Sequence, residues 1–97
     1  MSERSVIEEL WDVIDDRVRN QRPGSYVSSL LADPKGIDRV LEKVGEEATE
    51  FILAVKNVEQ GRIISEAADL QFHLLVALRA AGVTYSDLLR ELESRRR

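Results

Sequence analysis

Arg62-Ile63-Ile64-Ser65-Glu66-Ala67-Ala68-Asp69-Leu70-Gln71-Phe72-His73-Leu74-Leu75-Val76-Ala77-Leu78-Arg79-Ala80-Ala81 decides the fold. The run has no proline or glycine and is closed by Gly82, the signature of a helix and its stop. On a helical wheel Ile63, Ala67, Leu70, Leu74, Ala77 and Leu78 form one side, Ile64 and Leu75 lie beyond them, and Phe72, Val76 and Ala80 form another. A helix apolar on so many sides is packed on several sides, so the chain is read as all-α. Glu66, Asp69 and His73 make one narrow polar stripe in it. Acids in such a setting are expensive to bury unless they are paired or bind a metal.

The preceding long helix, expected over 37–57, carries a matching cluster. Ile37, Val40, Leu41, Val44, Ala48, Phe51, Ile52 and Val55 form its apolar face, and Lys43, Glu47, Glu50 and Ala54 run along one border of that face. Glu46 and Glu50 lie about 40° apart around the axis, Glu47 and Glu50 about 60°, and Glu66 and Asp69 about 60°. Like charges at these spacings weaken a helix, so two such clusters on neighbouring helices call for a neutralising group. A hard cation is the natural one, because Mg²⁺ takes carboxylate and phosphate oxygens. The competing readings are a solvated acidic face and internal ion pairs to Arg39, Lys43, Lys56 or Arg62. Gly45, in mid-helix, suggests close approach of a ligand or another backbone, and Leu53, among the acids, hints at a second apolar contact.

Around this pair the chain reads as flanking helices. Val6, Leu10, Val13, Ile14 and Val18 are spaced for a helix over 6–19, with Ser5 and Glu8 as a capping box. Arg22-Pro23-Gly24 marks a loop, Ser25 can cap a short helix through Leu31, and Asp33-Pro34-Lys35-Gly36 breaks it. Thr84-Tyr85-Ser86-Asp87 opens a last helix, with Leu88, Leu89 and Leu92 closing the bundle. His73, four residues after Asp69, is close enough to hydrogen-bond it; a satisfied, partly buried structural histidine is the favoured reading, orienting the Asp69 carboxylate is the functional one, and binding a metal directly comes third.

Composition excludes several classes. At 97 residues the chain is expected to be one domain over 1–97. With 14 basic against 18 acidic residues the net charge is -4, which disfavours nucleic-acid binding; the closing Arg95-Arg96-Arg97 reads as a solvated helix end. No cysteine is present, so disulfides, thiolate zinc sites and cysteine nucleophiles are out. Met1-Ser2-Glu3-Arg4-Ser5 has no apolar signal core and no run is long enough to span a membrane, so a cytoplasmic protein is expected. No Walker-type glycine loop occurs, and the single histidine lacks a nucleophile context. Acids on two helices, with Lys43 one turn before Glu47, suit Mg²⁺ ions gripping a polyphosphate, and hydrolysis by metal-activated water fits better than a covalent intermediate.

Lys43-Val44-Gly45-Glu46-Glu47-Ala48-Thr49-Glu50, followed by Glu66-Ala67-Ala68-Asp69-Leu70 and His73, resembles the phosphoribosyl-ATP pyrophosphohydrolase family of all-α nucleotide pyrophosphohydrolases. Pro23-Gly24-Ser25-Tyr26 and Leu30 add to the likeness, while Val27 and Phe72 depart from the family's usual threonine and tyrosine. The resemblance implies Mg²⁺-dependent cleavage of phosphoribosyl-ATP to phosphoribosyl-AMP and pyrophosphate, the second step of histidine biosynthesis. It implies Glu47, Glu50, Glu66 and Asp69 as metal ligands, Glu46 as a further ligand or base beside Glu47 and Glu50, and Lys43, Ser25 and Tyr26 facing the substrate phosphates. It also implies a homodimer completing the bundle. The alternatives are a housekeeping pyrophosphatase for dUTP or dCTP, and a non-catalytic helical dimerisation module.

Overall fold

The computed structural model describes residues 5–96, so the reading of Met1–Arg4 and the last residue of the basic run, Arg97, lie outside the described residues. Five helices follow one another: α1 Val6–Arg19, α2 Tyr26–Leu31, α3 Ile37–Lys56, α4 Gln60–Ala80 and α5 Tyr85–Ser94. No strand occurs among the described residues, in keeping with the all-α expectation.

Hydroxyl caps start three of the helices. The Ser5, Ser25 and Thr84 side chains accept from the backbone N–H groups of Glu8, Ser28 and Asp87, each satisfying a donor that has no partner inside its helix. Thr84 and Asp87 complete a reciprocal capping box. Ser28 is buried because its hydroxyl has two partners: it donates to the Arg17 carbonyl at 3.0 Å and accepts from the Arg22 N–H at 3.1 Å. That clasp fixes the turn between α1 and α2.

The two long helices are joined by Asn57, Val58 and Glu59, a connection so short that α3 and α4 lie antiparallel. Val58 sits at φ 54°, a left-handed conformation that a β-branched residue rarely adopts. Ile14, Val27, Leu30, Val40, Leu75 and Val76 form the buried core. These residues come from α1, α2, the start of α3 and the end of α4, so the core gathers at one end of the α3–α4 hairpin. Arg79 donates to Asp15 at 2.8 Å and ties α4 to α1 there. The α5 helix contributes no fully buried residue; Tyr85, half-buried, stacks on Trp11 with ring centroids 6.3 Å apart. It borders the core and does not close it.

Much of the hairpin's remaining apolar surface is bare. The wheel of α3 places Ile37, Leu41, Ile52 and Val55 on its apolar face, yet each is exposed, as are Leu53, Ile64 and Leu74. The chain has 6856 Å² of accessible surface, whereas a compact monomer of 11.0 kDa has about 5,600 Å². Its radius of gyration is 14.7 Å against about 12.5 Å for a compact chain of this length. The apolar stripe, uncovered by the other described residues, contributes to that excess.

Candidate metal and phosphate site

Glu47 of α3 faces Glu66 and Asp69 of α4, and one carboxylate oxygen from each lies within 4.8 Å of the others. Neighbouring and opposite oxygens around Mg²⁺ are about 2.9 and 4.1 Å apart when each sits about 2.05 Å from the ion. The three acids are therefore near the spacing such an ion imposes, and the all-oxygen donor set suits a hard cation.

Glu66 carries the decisive detail. Its Oε2 is buried and has no hydrogen-bond partner, an arrangement that buried carboxylates ordinarily avoid. Burial first, then the charges of Glu47, Asp69 and Glu50, push its carboxyl above the usual range, with Arg62 opposing. Among the described residues neither Glu66 nor Asp69 enters an ion pair. A cation between them would satisfy the orphaned oxygen and relieve the repulsion together.

The remaining acids are placed differently. Glu46 pairs with Lys43 at 3.1 Å and with Arg39 at 3.7 Å, on the exposed side of α3. Glu50 is engaged by Arg62 at 2.9 Å, and the same guanidinium reaches Glu59 at 3.1 Å. The structure thus brings together three of the four expected ligands and leaves Glu50 in an ion pair beside them. From spacing alone Arg62 is only a possible ion-pair partner, and its position four residues before Glu66 is the signal for more. Ion pairing accounts for Glu46 and Glu50, and it does not account for Glu66 or Asp69.

Lys43 lies between the two groups, within 3.2 Å of Glu47, with its side chain largely buried. Its ammonium is held above the usual range, chiefly by the hydrogen bond to Glu46, against desolvation, with Glu47 and the nearby Tyr26 adding to the effect.

Residues 7–96 match the family described as phosphoribosyl-ATP pyrophosphohydrolase. The chain belongs to the phosphoribosyl-ATP pyrophosphohydrolase family. Relatives bearing the name phosphoribosyl-ATP pyrophosphatase support this along the whole length. One from Methanosphaerula palustris is 65% identical over 97 residues, covering 100% of this chain and 98% of its own. One from Methanoculleus marisnigri is 57% identical, covering 100% of both. A more distant one, from Methanosarcina barkeri, is 46% identical over 91 residues, covering 94% of this chain and 88% of its own.

The other residues singled out by the family resemblance have clear positions in this member. Ser25 uses its hydroxyl to cap α2, accepting from the Ser28 N–H at 3.2 Å, and borders a cavity of about 380 Å³ shared with Arg22, Gly24 and Ser29. Tyr26 is half-exposed and its hydroxyl lies 2.9 Å from Nε2 of His73. The His73 ring does bond to Asp69, but through the main-chain carbonyl at 2.7 Å, not the carboxylate. Helix geometry accounts for the difference, since the carbonyl four residues back points along the axis toward the ring. Outside the local backbone of α3, nothing among the described residues lies within 4 Å of where a Cβ on Gly45 would stand, so no other helix of the described chain approaches it.

Proposed function

We propose that this chain hydrolyses phosphoribosyl-ATP to phosphoribosyl-AMP and pyrophosphate with Mg²⁺, as the cytoplasmic second step of histidine biosynthesis. The observation that carries the reading is the orphaned Oε2 of Glu66 within the Glu47, Glu66 and Asp69 group, in a chain whose relatives carry the name of that activity.

Glu47, Glu66 and Asp69 would hold the ion, with Glu50 joining once Arg62 releases it. A divalent cation bound there draws charge from phosphoryl oxygens and acidifies water. The protein's own groups supply the rest. Lys43, already charged and largely buried beside Glu47, neutralises phosphate oxygens that the cation does not cover. Arg62, freed from Glu50, offers a planar pair of donors to the leaving pyrophosphate. Glu46, exposed and paired only with cations, is available as the proton acceptor. The test is pyrophosphate release from phosphoribosyl-ATP, dUTP and dCTP with and without Mg²⁺. Preference for phosphoribosyl-ATP is expected, and preference for dUTP or dCTP would sink the substrate assignment.

We also propose that the working form is a homodimer. The surface excess of about 1,200 Å² per chain would bury about 2,400 Å² in a pair, within the range of obligate homodimers. The exposed stripe of Leu41, Ile52 and Val55 on α3 and Ile64 and Leu74 on α4 is the face that supports this reading.

A further inference from the structure

His73 is 6% exposed, the sole histidine in the chain, and both of its ring nitrogens are engaged. Nδ1 lies 2.7 Å from the Asp69 carbonyl oxygen. A carbonyl can only accept, so Nδ1 carries the proton and donates. In the neutral ring Nε2 is then a bare acceptor, and its partner at 2.9 Å, the Tyr26 hydroxyl, must donate to it. Phe72 packs edge-on against His73 with centroids 5.1 Å apart and sits 6.0 Å from Tyr26, so the rings are held in this arrangement.

The consequence falls on Tyr26. With its only proton committed to His73, its oxygen can offer nothing but lone pairs to whatever enters from the solvent side. Phosphate oxygens are acceptors too, so this hydroxyl is poorly suited to them. It suits a donor, and the donors of a phosphoribosylated nucleotide nearest in kind are its sugar hydroxyls. We propose that His73 is a positioning residue that turns Tyr26 into a hydrogen-bond acceptor for a ribose hydroxyl of the substrate, tied to the turn of α4 that carries Asp69. This rests on the substrate reading above and changes one part of it, since Tyr26 faces a sugar in place of a phosphate.

The experiment has three arms. Nitrogen-15 NMR of the labelled imidazole in the full chain is expected to show a protonated Nδ1 and a bare Nε2; a protonated Nε2 overturns the proposal. In steady-state assays with Mg²⁺, Tyr26→Phe and His73→Leu are each expected to raise KM for phosphoribosyl-ATP about tenfold, the loss of one hydrogen bond, with kcat little changed. The double variant should be no worse than either, and His73→Gln, which restores an acceptor, should recover most of the loss. Independent, multiplying effects overturn the proposal, as does a Tyr26→Phe variant with unchanged KM, which also covers a His73→Leu chain that fails to fold. Phosphoribosyl-ATP lacking one ribose hydroxyl at a time should include a form that loses affinity for the wild type and loses nothing further for Tyr26→Phe; if no such form exists, the proposal is wrong. Mn²⁺ titrated against each variant should bind as to the wild type, and weakened binding would assign His73 to the metal site instead. A wild-type chain that leaves phosphoribosyl-ATP intact overturns the substrate reading itself, a result distinct from all of these.

Discussion

Replacing Ile52 by glutamate should separate the two copies without unfolding either. Ile52 is 58% exposed in the single chain, so a carboxylate there meets water and the fold of the protomer is little affected. On the wheel it lies about 160° from Glu50, well away from the acid group. In a homodimer covering the α3 stripe the new charge is buried without a partner, which costs about 3–5 kcal/mol. Twofold symmetry introduces it twice, so association weakens by about 6–10 kcal/mol, a factor of about 10⁴ to 10⁷. A nanomolar dimer would become monomeric at micromolar concentration. Light scattering on the eluting protein reads this directly, because the protomer is 11.0 kDa and the pair is twice that. A wild-type chain that scatters as a protomer, or an Ile52→Glu chain that still pairs, would refute the assignment of that stripe to a second copy.

Three further outcomes follow from particular residues. Because the Glu66 carboxyl is pushed up, the folded state binds its proton more tightly than the unfolded chain; in the metal-free protein the contribution of Glu66 to stability is full at low pH and is lost as pH rises through the raised value, opposite in sign to the lowered acids Asp15, Asp16, Glu42 and Asp87. Mg²⁺ at 100 times its dissociation constant should return about 2.7 kcal/mol, a rise in melting temperature of about 11–22 °C, and Glu66→Gln should remove the Glu66 part of the pH dependence and most of that rise, as thermal melts with and without Mg²⁺ will show. Gly45→Ala should stabilise the fold by about 1 kcal/mol in urea denaturation, since among the described residues nothing outside the local α3 backbone lies within 4 Å of the new Cβ; a net loss means that a second chain occupies the space. Val58→Asn should gain about 1 kcal/mol by easing the left-handed turn at φ 54°, and an unchanged urea midpoint would show that the turn stores no strain.

Local signals in the sequence were enough for the helices. Ser5, Ser25 and Thr84 announce their starts as caps, and the observed bounds of the long helices, Ile37–Lys56 and Gln60–Ala80, fall within two residues of those expected. The meeting of Glu47 with Glu66 and Asp69 was also legible, because it needs only wheel position and an antiparallel hairpin. What spacing could not show was who else competes for each acid. Glu50 shares the border of Glu47 on the wheel, yet Arg62 reaches it across the hairpin. Ile37, Leu41 and Ile52 lie on the apolar face and are nonetheless exposed, for a related reason: periodicity reports that a face is apolar, and a partner outside the chain can be what covers it. Tyr26 and His73 are 47 positions apart, and only the packing of α2 on α4 makes them neighbours.

The ion pairs of Lys43 with Glu47 and of Arg62 with Glu50 bear on the order in which the protein matures. Two fixed positive charges already balance half of the acidic group, so the hairpin can form before any ion arrives. Under the proposed Mg²⁺ reading, loading would be a late and reversible event on a finished scaffold, unlike a zinc finger, which has no fold to load until its metal binds. Dialysis against a chelator should switch such a protein off and leave it intact in the tube, ready to be switched on again by adding back the salt.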